Sequence, residues 1–334
     1  MSGGSLIWLT EQDVVSLVPL NDAMDALADG LRWDGEGTAQ NLQKALGTWG
    51  DGSSMHALGS LFSEAGYCGF KTWVNTKRGA AAIFVLFDAN EGRLLAVIEA
   101  GALGQMRTAG IAGVATRYLA KPDAEVMTLI GTGRQAMMQV AAVAAARPLK
   151  SLRVFSRTPE SREKFVAEAK QKFDFDVVGI PTLEASTEGA DIVTLVTRAE
   201  EPFFHANMLP KGAHLNAVGA ILRPRAEFFQ DVFDRADLLV CDYLPNLQIA
   251  SREFIEYCEE GPGDWNSVIS LSQLIAEGKG RPDGADITLF KAMGMGISDL
   301  SVAKMVYERA TEKGLGQKID APQAVQPMWL SNAA

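Results

Sequence analysis

One short run constrains this chain more than any other: residues 125–130, EVMTLI, followed at once by Gly131-Thr132-Gly133-Arg134-Gln135-Ala136. The run is β-rich, and residues 134–146 read as a helix rich in alanine and methionine that Pro148 ends. A G-x-G-x-x-A stretch between a strand and a helix is the local structure a dinucleotide needs. Gly131 makes the tight turn, Gly133 lets backbone approach a pyrophosphate, and Ala136 keeps the helix close to the strand. Arg134 and Gln135 open the helix, whose free N–H groups and positive dipole end then face the phosphates.

Downstream, 151–155, 191–196, 213–218, 238–241 and 287–291 read as strands, the last of them as the final strand, and 159–172 has helical character. Strands alternating with helices imply parallel β-α-β units and a doubly wound sheet. Upstream the pattern changes. Thr10, with Asp13 three residues on, reads as a helix cap. Asn21 reads as the cap of a helix over 22–32, and 35–71 is mixed and turn-rich. Segments 69–75, 81–88 and 94–99 form a strand series, with 87–92 as an antiparallel turn. A helix over 103–119 follows, in which Gly110 and Gly113 suggest close packing. At the far end, Ser298 or Asp299 caps a helix over 300–312. The expected fold is therefore α/β: a Rossmann domain over 120–298, and a second domain from 1–119 and 299–334.

The last residues of the second Rossmann strand select between cofactors. An NAD site carries Asp or Glu there for the ribose 2′-hydroxyl. This chain has Ser156-Arg157-Thr158, two hydroxyls and a guanidinium suited to a 2′-phosphate, so NADP(H) is favoured with NAD(H) possible.

Composition narrows the remaining classes. The formal net charge of −10 over 334 residues opposes binding to nucleic acid or anionic membranes. The three cysteines and three histidines are dispersed, so neither a disulfide framework nor a metal site is expected. No apolar run approaches a membrane span, and Met1 to Thr10 lacks the pattern of a leader, which makes the cytoplasm the expected location.

Two cationic residues stand out as candidates for chemistry. Lys71 sits in the apolar run Phe70 to Val74, where burial would disfavour its charge and make it a usable proton donor. Arg107 lies in a mostly apolar helix, and a guanidinium grips a carboxylate through two parallel hydrogen bonds. Thr108 beside it is placed to reach cofactor phosphates. Asn216 follows a strand and precedes Gly219, a place for close approach to nicotinamide or ribose. Asp299 reads mainly as a helix cap, and His56 carries no assigned role.

Several stretches together resemble the ornithine cyclodeaminase/μ-crystallin family. They are Gly69-Phe70-Lys71, Leu86-Phe87-Asp88 with Gly92, Met106-Arg107-Thr108-Ala109, the Gly131 to Gln135 turn, Ser156-Arg157-Thr158, Asn216 to Ala220, and Gly296-Ile297-Ser298-Asp299-Leu300. The resemblance implies a substrate-binding and dimerisation domain built from both chain ends, a Rossmann domain between them, and a homodimer. It implies Lys71 and Arg107 as catalytic and substrate-binding residues, with Gln43 and Leu58 also at the substrate. Thr197, Val218, Gly219 and Gly294 are implied at the cofactor. Three departures bear on activity. Gln43 stands near the position of a family arginine that holds the substrate carboxylate, while Lys44, one residue on, would face the other side of a strand. Leu58-Gly59 replaces a Met-Pro pair, and Ile221 replaces the acid/base aspartate of cyclodeaminases.

The activity implied is NAD(P)H-dependent reduction of a small imino acid or ketimine, or oxidation of the matching amino acid. Two alternatives are an ornithine-type cyclodeaminase, which Ile221 opposes, and a cofactor-binding crystallin-like protein without catalysis.

Overall fold

The computed structural model describes residues 5–50, 52–323 and 325. The first four residues of the segment inspected for a leader, and the end of the 299–334 segment, lie outside the described residues.

Two eight-stranded sheets organise the chain. The first holds β1 (Ser5–Leu9), β2 (Ala39–Asn41), β3 (Ala45–Trp49), β4 (Ser53–Phe62), β5 (Tyr67–Asn75), β6 (Ala80–Asp88) and β7 (Leu94–Glu99). From β4 to β7 it is an antiparallel meander, with β2 and β3 both paired to β4 and β1 running parallel to β7. The expected turn between β6 and β7 is present: Asp88 Oδ1 accepts from the N–H groups of Asn90 and Glu91, and Gly92 has φ +67°. The segment expected to be turn-rich instead contains three strands, including the ten-residue β4. Its glycines and serines hid the pattern, because β4 is held by pairing to β5 along its length rather than by its own alternation.

Helices α1 (Glu11–Leu17) and α2 (Leu20–Gly35) follow β1. Thr10 and Asp13 cap α1 reciprocally, as the sequence indicates. Asn21 is not the cap of α2: the helix begins two residues earlier than expected, with Pro19 at the cap. Proline's fixed φ of −64° already suits the turn into the helix, so no side-chain cap is needed. Helix α3 (Gly101–Leu119) then crosses to the second sheet.

That sheet is wholly parallel. It contains β8 (Val126–Ile130), β9 (Ser151–Phe155), β10 (Asp176–Gly179), β11 (Ile192–Leu195), β12 (His214–Ala217), β13 (Ala236–Cys241), β14 (Val268–Ser270) and β15 (Ile287–Lys291), in the order β10-β9-β8-β11-β12-β15-β13-β14. The helices α4 (Ala136–Ala146), α5 (Pro159–Ala169), α6 (Leu183–Thr187), α7 (Leu244–Ala250), α8 (Arg252–Ile255) and α9 (Leu271–Ala276) connect them. Strand order reverses between β8 and β11, where an open parallel sheet leaves a crevice beyond its carboxyl ends. Edge strands β10 and β14 escaped the sequence reading, being only four and three residues long.

Helix α10 (Gly296–Lys313) returns to the first sheet, and β16 (Gln317–Asp320) pairs with β1, so β15 is not the last strand. Asp299 is not a helix cap. It lies inside α10, fully buried. One continuous core joins α1, α2, α3, α9 and α10 to the inner face of the first sheet.

Candidate active site

A cleft of about 1370 Å³ opens between the two sheets, and nearly all the sequence candidates line it. One wall is the carboxyl edge of the parallel sheet. Gly131 there has φ +106°, and a Cβ on it would lie 2.7 Å from the Val196 carbonyl oxygen. Gly133 has open space where a Cβ would go, so a ligand can lie against its backbone. Helix α4 has no side-chain cap; its first N–H, that of Ala136, donates to the Gly133 carbonyl, while the N–H groups of Arg134 and Gln135 ahead of it make no hydrogen bond among the described residues and are left for a ligand. Gln135 Oε1 is buried without a hydrogen-bond partner among the described residues. An uncapped helix end and an open glycine together fit a pyrophosphate. Ala136 does not line the cleft; it is buried against the sheet, the packing role the motif assigns it.

Ser156, Arg157 and Thr158 line the cleft beyond β9, with Arg157 exposed. Thr108, Thr197, Val218, Gly219 and Gly294 also line it. Thr197 and Gly219 are tied together by Glu227, a buried residue the sequence did not reveal. Its Oε1 accepts from the N–H and Oγ1 of Thr197, both at 2.7 Å, and its Oε2 accepts from the N–H groups of Gly219 at 2.8 Å and Ala220 at 3.2 Å. Burial raises the Glu227 pKa, and the cation of Lys291 opposes that rise.

Asn216 is a second cofactor candidate that does not line the cleft. It lies within β12, not after it, and its side chain turns into a buried network with His214 at 3.1 Å and Thr116 at 3.0 Å. Burial pushes the His214 pKa down to about 3, so the network is built on a neutral imidazole.

The opposite wall comes from the first sheet and α3, and it is cationic. Lys71 and Trp73, two residues apart on β5, face the cleft beside Leu58 on the neighbouring β4. The Lys71 ammonium donates to Asp299 Oδ1 at 2.7 Å and stands 4.8 Å from the centre of the Trp73 ring. Arg107 Nε lies 3.2 Å from the same oxygen. Burial and the Arg107 charge lower the Lys71 pKa to about 8 against the opposing pull of Asp299. His56 stacks on Trp73 at 4.5 Å, and burial beside Lys44 and Lys71 drops its pKa to about 4.

Gln43 and Lys44 stand the other way round from the expectation. Residues 42–44 form no strand, so alternation does not govern which side each faces. Gln43 is exposed and outside the cleft, whereas Lys44 lines it. No hydrogen bond or ion pair engages the Lys44 ammonium among the described residues. Its pKa is lowered by burial and then by Arg107.

Asp242 also lines the cleft, near Arg107. Its carboxylate accepts from the N–H groups of Tyr243, Met293 and Gly294, which fixes the loop after β15 against the site. Ile221 lines the cleft as well, so the position that would need a proton-transferring group offers only hydrocarbon.

Residues 6–314 match the ornithine cyclodeaminase/mu-crystallin family. The chain is 32% identical over 246 residues to a Δ1-pyrroline-2-carboxylate reductase of Bacillus cereus, covering 73% of this chain and 75% of that one. Two solved structures are similar over nearly the whole fold. One is Thermococcus litoralis Δ1-pyrroline-2-carboxylate reductase in complex with NADH and L-proline, with TM-score 0.88, 26% identity, and coverage of 94% of this chain and 100% of that one. The other is an archaeal alanine dehydrogenase dimer with bound NAD, with TM-score 0.88, 26% identity, and coverage of 95% and 99%.

Proposed function

The chain belongs to the ornithine cyclodeaminase/mu-crystallin family, and from that premise we propose that it is an enzyme reducing the C=N bond of a small imino acid with a nicotinamide dinucleotide. The observation that carries this reading is the arrangement of Lys71 and Arg107 across the cleft from the Gly131 turn. A nicotinamide dinucleotide held along the Gly131 turn would supply the hydride. Everything else falls to the protein. Arg107, whose terminal nitrogens make no hydrogen bond among the described residues, takes the substrate carboxylate together with Lys44. The Lys71 ammonium gives its proton to the imine nitrogen, leaving a C–H and an N–H where the double bond was. The reverse direction starts with Lys71 neutral, accepting a proton from the amine. Leu58, Trp73 and Ile221 supply an apolar surround for the rest of a small substrate.

Cyclodeamination lacks support at Ile221, which cannot move a proton. The cofactor preference we propose is NADP(H): Arg157 with Ser156 and Thr158 supplies a cation and two hydroxyls, with no carboxylate, at the end of β9. Self-association is proposed for the outer face of the first sheet. Trp49, Met55, Phe70 and Val74 share that face and are 49%, 56%, 42% and 36% exposed.

Titration with NADPH and NADH, followed by a panel of cyclic and acyclic imino acids monitored for cofactor oxidation, tests the reading. Tighter NADPH binding and turnover of at least one imino acid are expected. Binding without turnover across the panel would overturn the assignment of reductase activity, and tighter NADH binding would overturn the role of Arg157.

A further inference from the structure

The assignment of Lys71 as proton donor raises a problem the cleft residues do not solve. An ammonium buried in an apolar sheet and facing two other cations should lose its proton. The groups facing Lys71 are Arg107 from α3, Lys44 from the segment before β3, His56 from β4 and Asp299 from α10. His56, with its pKa near 4, is neutral at ordinary pH. The only anion in the set is Asp299.

Asp299 is fully buried and does not line the cleft. Its Oδ1 is shared between Lys71 at 2.7 Å and Arg107 at 3.2 Å. Its Oδ2 is buried with no hydrogen-bond partner among the described residues, so the two cations are the carboxylate's whole polar environment. It sits in the first turn of α10, where the helix dipole favours a negative charge. The backbone around it is held independently of the site: the Ile297 N–H donates to Asn41 Oδ1, and the Ser298 hydroxyl donates to the Met295 carbonyl. Asp242, the other acid near Arg107, is occupied by three backbone N–H groups and makes no bond to Lys71.

Resting on the reductase reading above, we propose that Asp299 is a positioning residue that keeps Lys71 protonated and ties its ammonium to Arg107 at a fixed separation. A carboxylate behind both cations and out of reach of substrate can do this without competing for the imine. The sign follows directly. Reduction needs the ammonium, so its rate falls as pH rises through the Lys71 pKa. Removing the Asp299 charge removes the strongest force holding the proton, and the alkaline limb moves to lower pH.

The test is Asp299→Asn, with Asp299→Ser as a second variant that also deletes the charge and leaves room for water. Two readouts are taken on the cofactor-loaded protein. The first is the pH dependence of Lys71 acetylation by acetic anhydride, quantified on its peptide, which reports the amine titration without turnover. The second is the pH profile of kcat/KM for reduction. The expected result is a Lys71 midpoint displaced downward by about one pH unit or more in either variant, with the kcat/KM limb displaced alike. Above the original midpoint that is a loss of about tenfold. A labelling midpoint equal to that of the unaltered protein overturns the proposal, whatever happens to turnover. If the unaltered protein reduces no imino acid, the reductase reading fails, while the labelling still decides whether Asp299 holds the Lys71 proton.

Discussion

Lys44 carries a charge in partly buried surroundings, next to a guanidinium and with no anion of its own among the described residues. Such a placement costs free energy unless a ligand brings the missing charge. Asp299 is already shared between Lys71 and Arg107, which on the proposed reading leaves Lys44 and the outer nitrogens of Arg107 to a substrate carboxylate. Lys44→Gln is therefore expected to raise KM for an imino acid by about tenfold, in line with one lost charge-assisted hydrogen bond. The kcat should change little, as should turnover of a cyclic imine without a carboxylate. Steady-state kinetics on both substrates checks this, and an unchanged imino-acid KM would remove Lys44 from the anion subsite. Asp299 shows the limit of a residue-level reading from sequence. A Ser-Asp pair at a helix start looks like a cap, and only the fold brings β5 and α3 against that turn.

Helix α3 joins the two halves of the cleft. It carries Arg107 and Thr108 on its cleft side and packs against α2 and α4 on others. Its glycines permit that approach. A Cβ on Gly113 would lie 2.6 Å from Met24 Cε, 2.9 Å from the Ala142 carbonyl oxygen and 3.0 Å from the Ala142 Cβ. The backbone of α4 cannot move without shifting the Gly131 turn that begins it. Gly113→Val should destabilise the protein by about 2 kcal/mol, a magnitude usual for overpacking a tight core. It should also weaken dinucleotide binding, although Gly113 itself does not line the cleft. Urea unfolding and cofactor titration measure the two effects. A variant as stable as the parent would show that α2 and α4 can separate here at little cost. The sequence indicated this contact through Gly110 and Gly113, because glycine inside a helix is unfavourable unless something needs the space.

Across the whole molecule, the first sheet is apolar on both faces but covered on one. Helix α10 and the α2–α3 layer bury the inner face. On the outer face the side chain of Phe70 spreads over Gly59, and Trp49, Met55 and Val74 lie exposed around it. A contiguous exposed apolar surface of this kind marks an association site. Sedimentation should show a dimer, and Phe70→Glu combined with Met55→Glu should give a monomer, since a like pair of buried carboxylates on a two-fold interface has no counter-charge. A parent protein that sediments as a monomer would refute the assignment.

The sequence by itself determined the parallel sheet, the glycine turn between strand and helix, and the setting of the cations Lys71 and Arg107 in apolar runs. Each is written in contiguous residues: a strand, two glycines and a helix in one span, or a cation inside an apolar run. The boundaries of β9 and β15 were legible for the same reason, as was the reciprocal cap of α1. Tertiary structure alone decided the rest. Asn216 turned inward because His214 and Thr116 engage its side chain, and Lys44 replaced Gln43 because the chain there is not a strand. Glu227 reached back to Thr197 and Asp299 to Lys71 across 30 and 228 positions. A buried carboxylate is placed by the charges and N–H groups that surround it in space, and those groups are contributed by elements far apart along the chain.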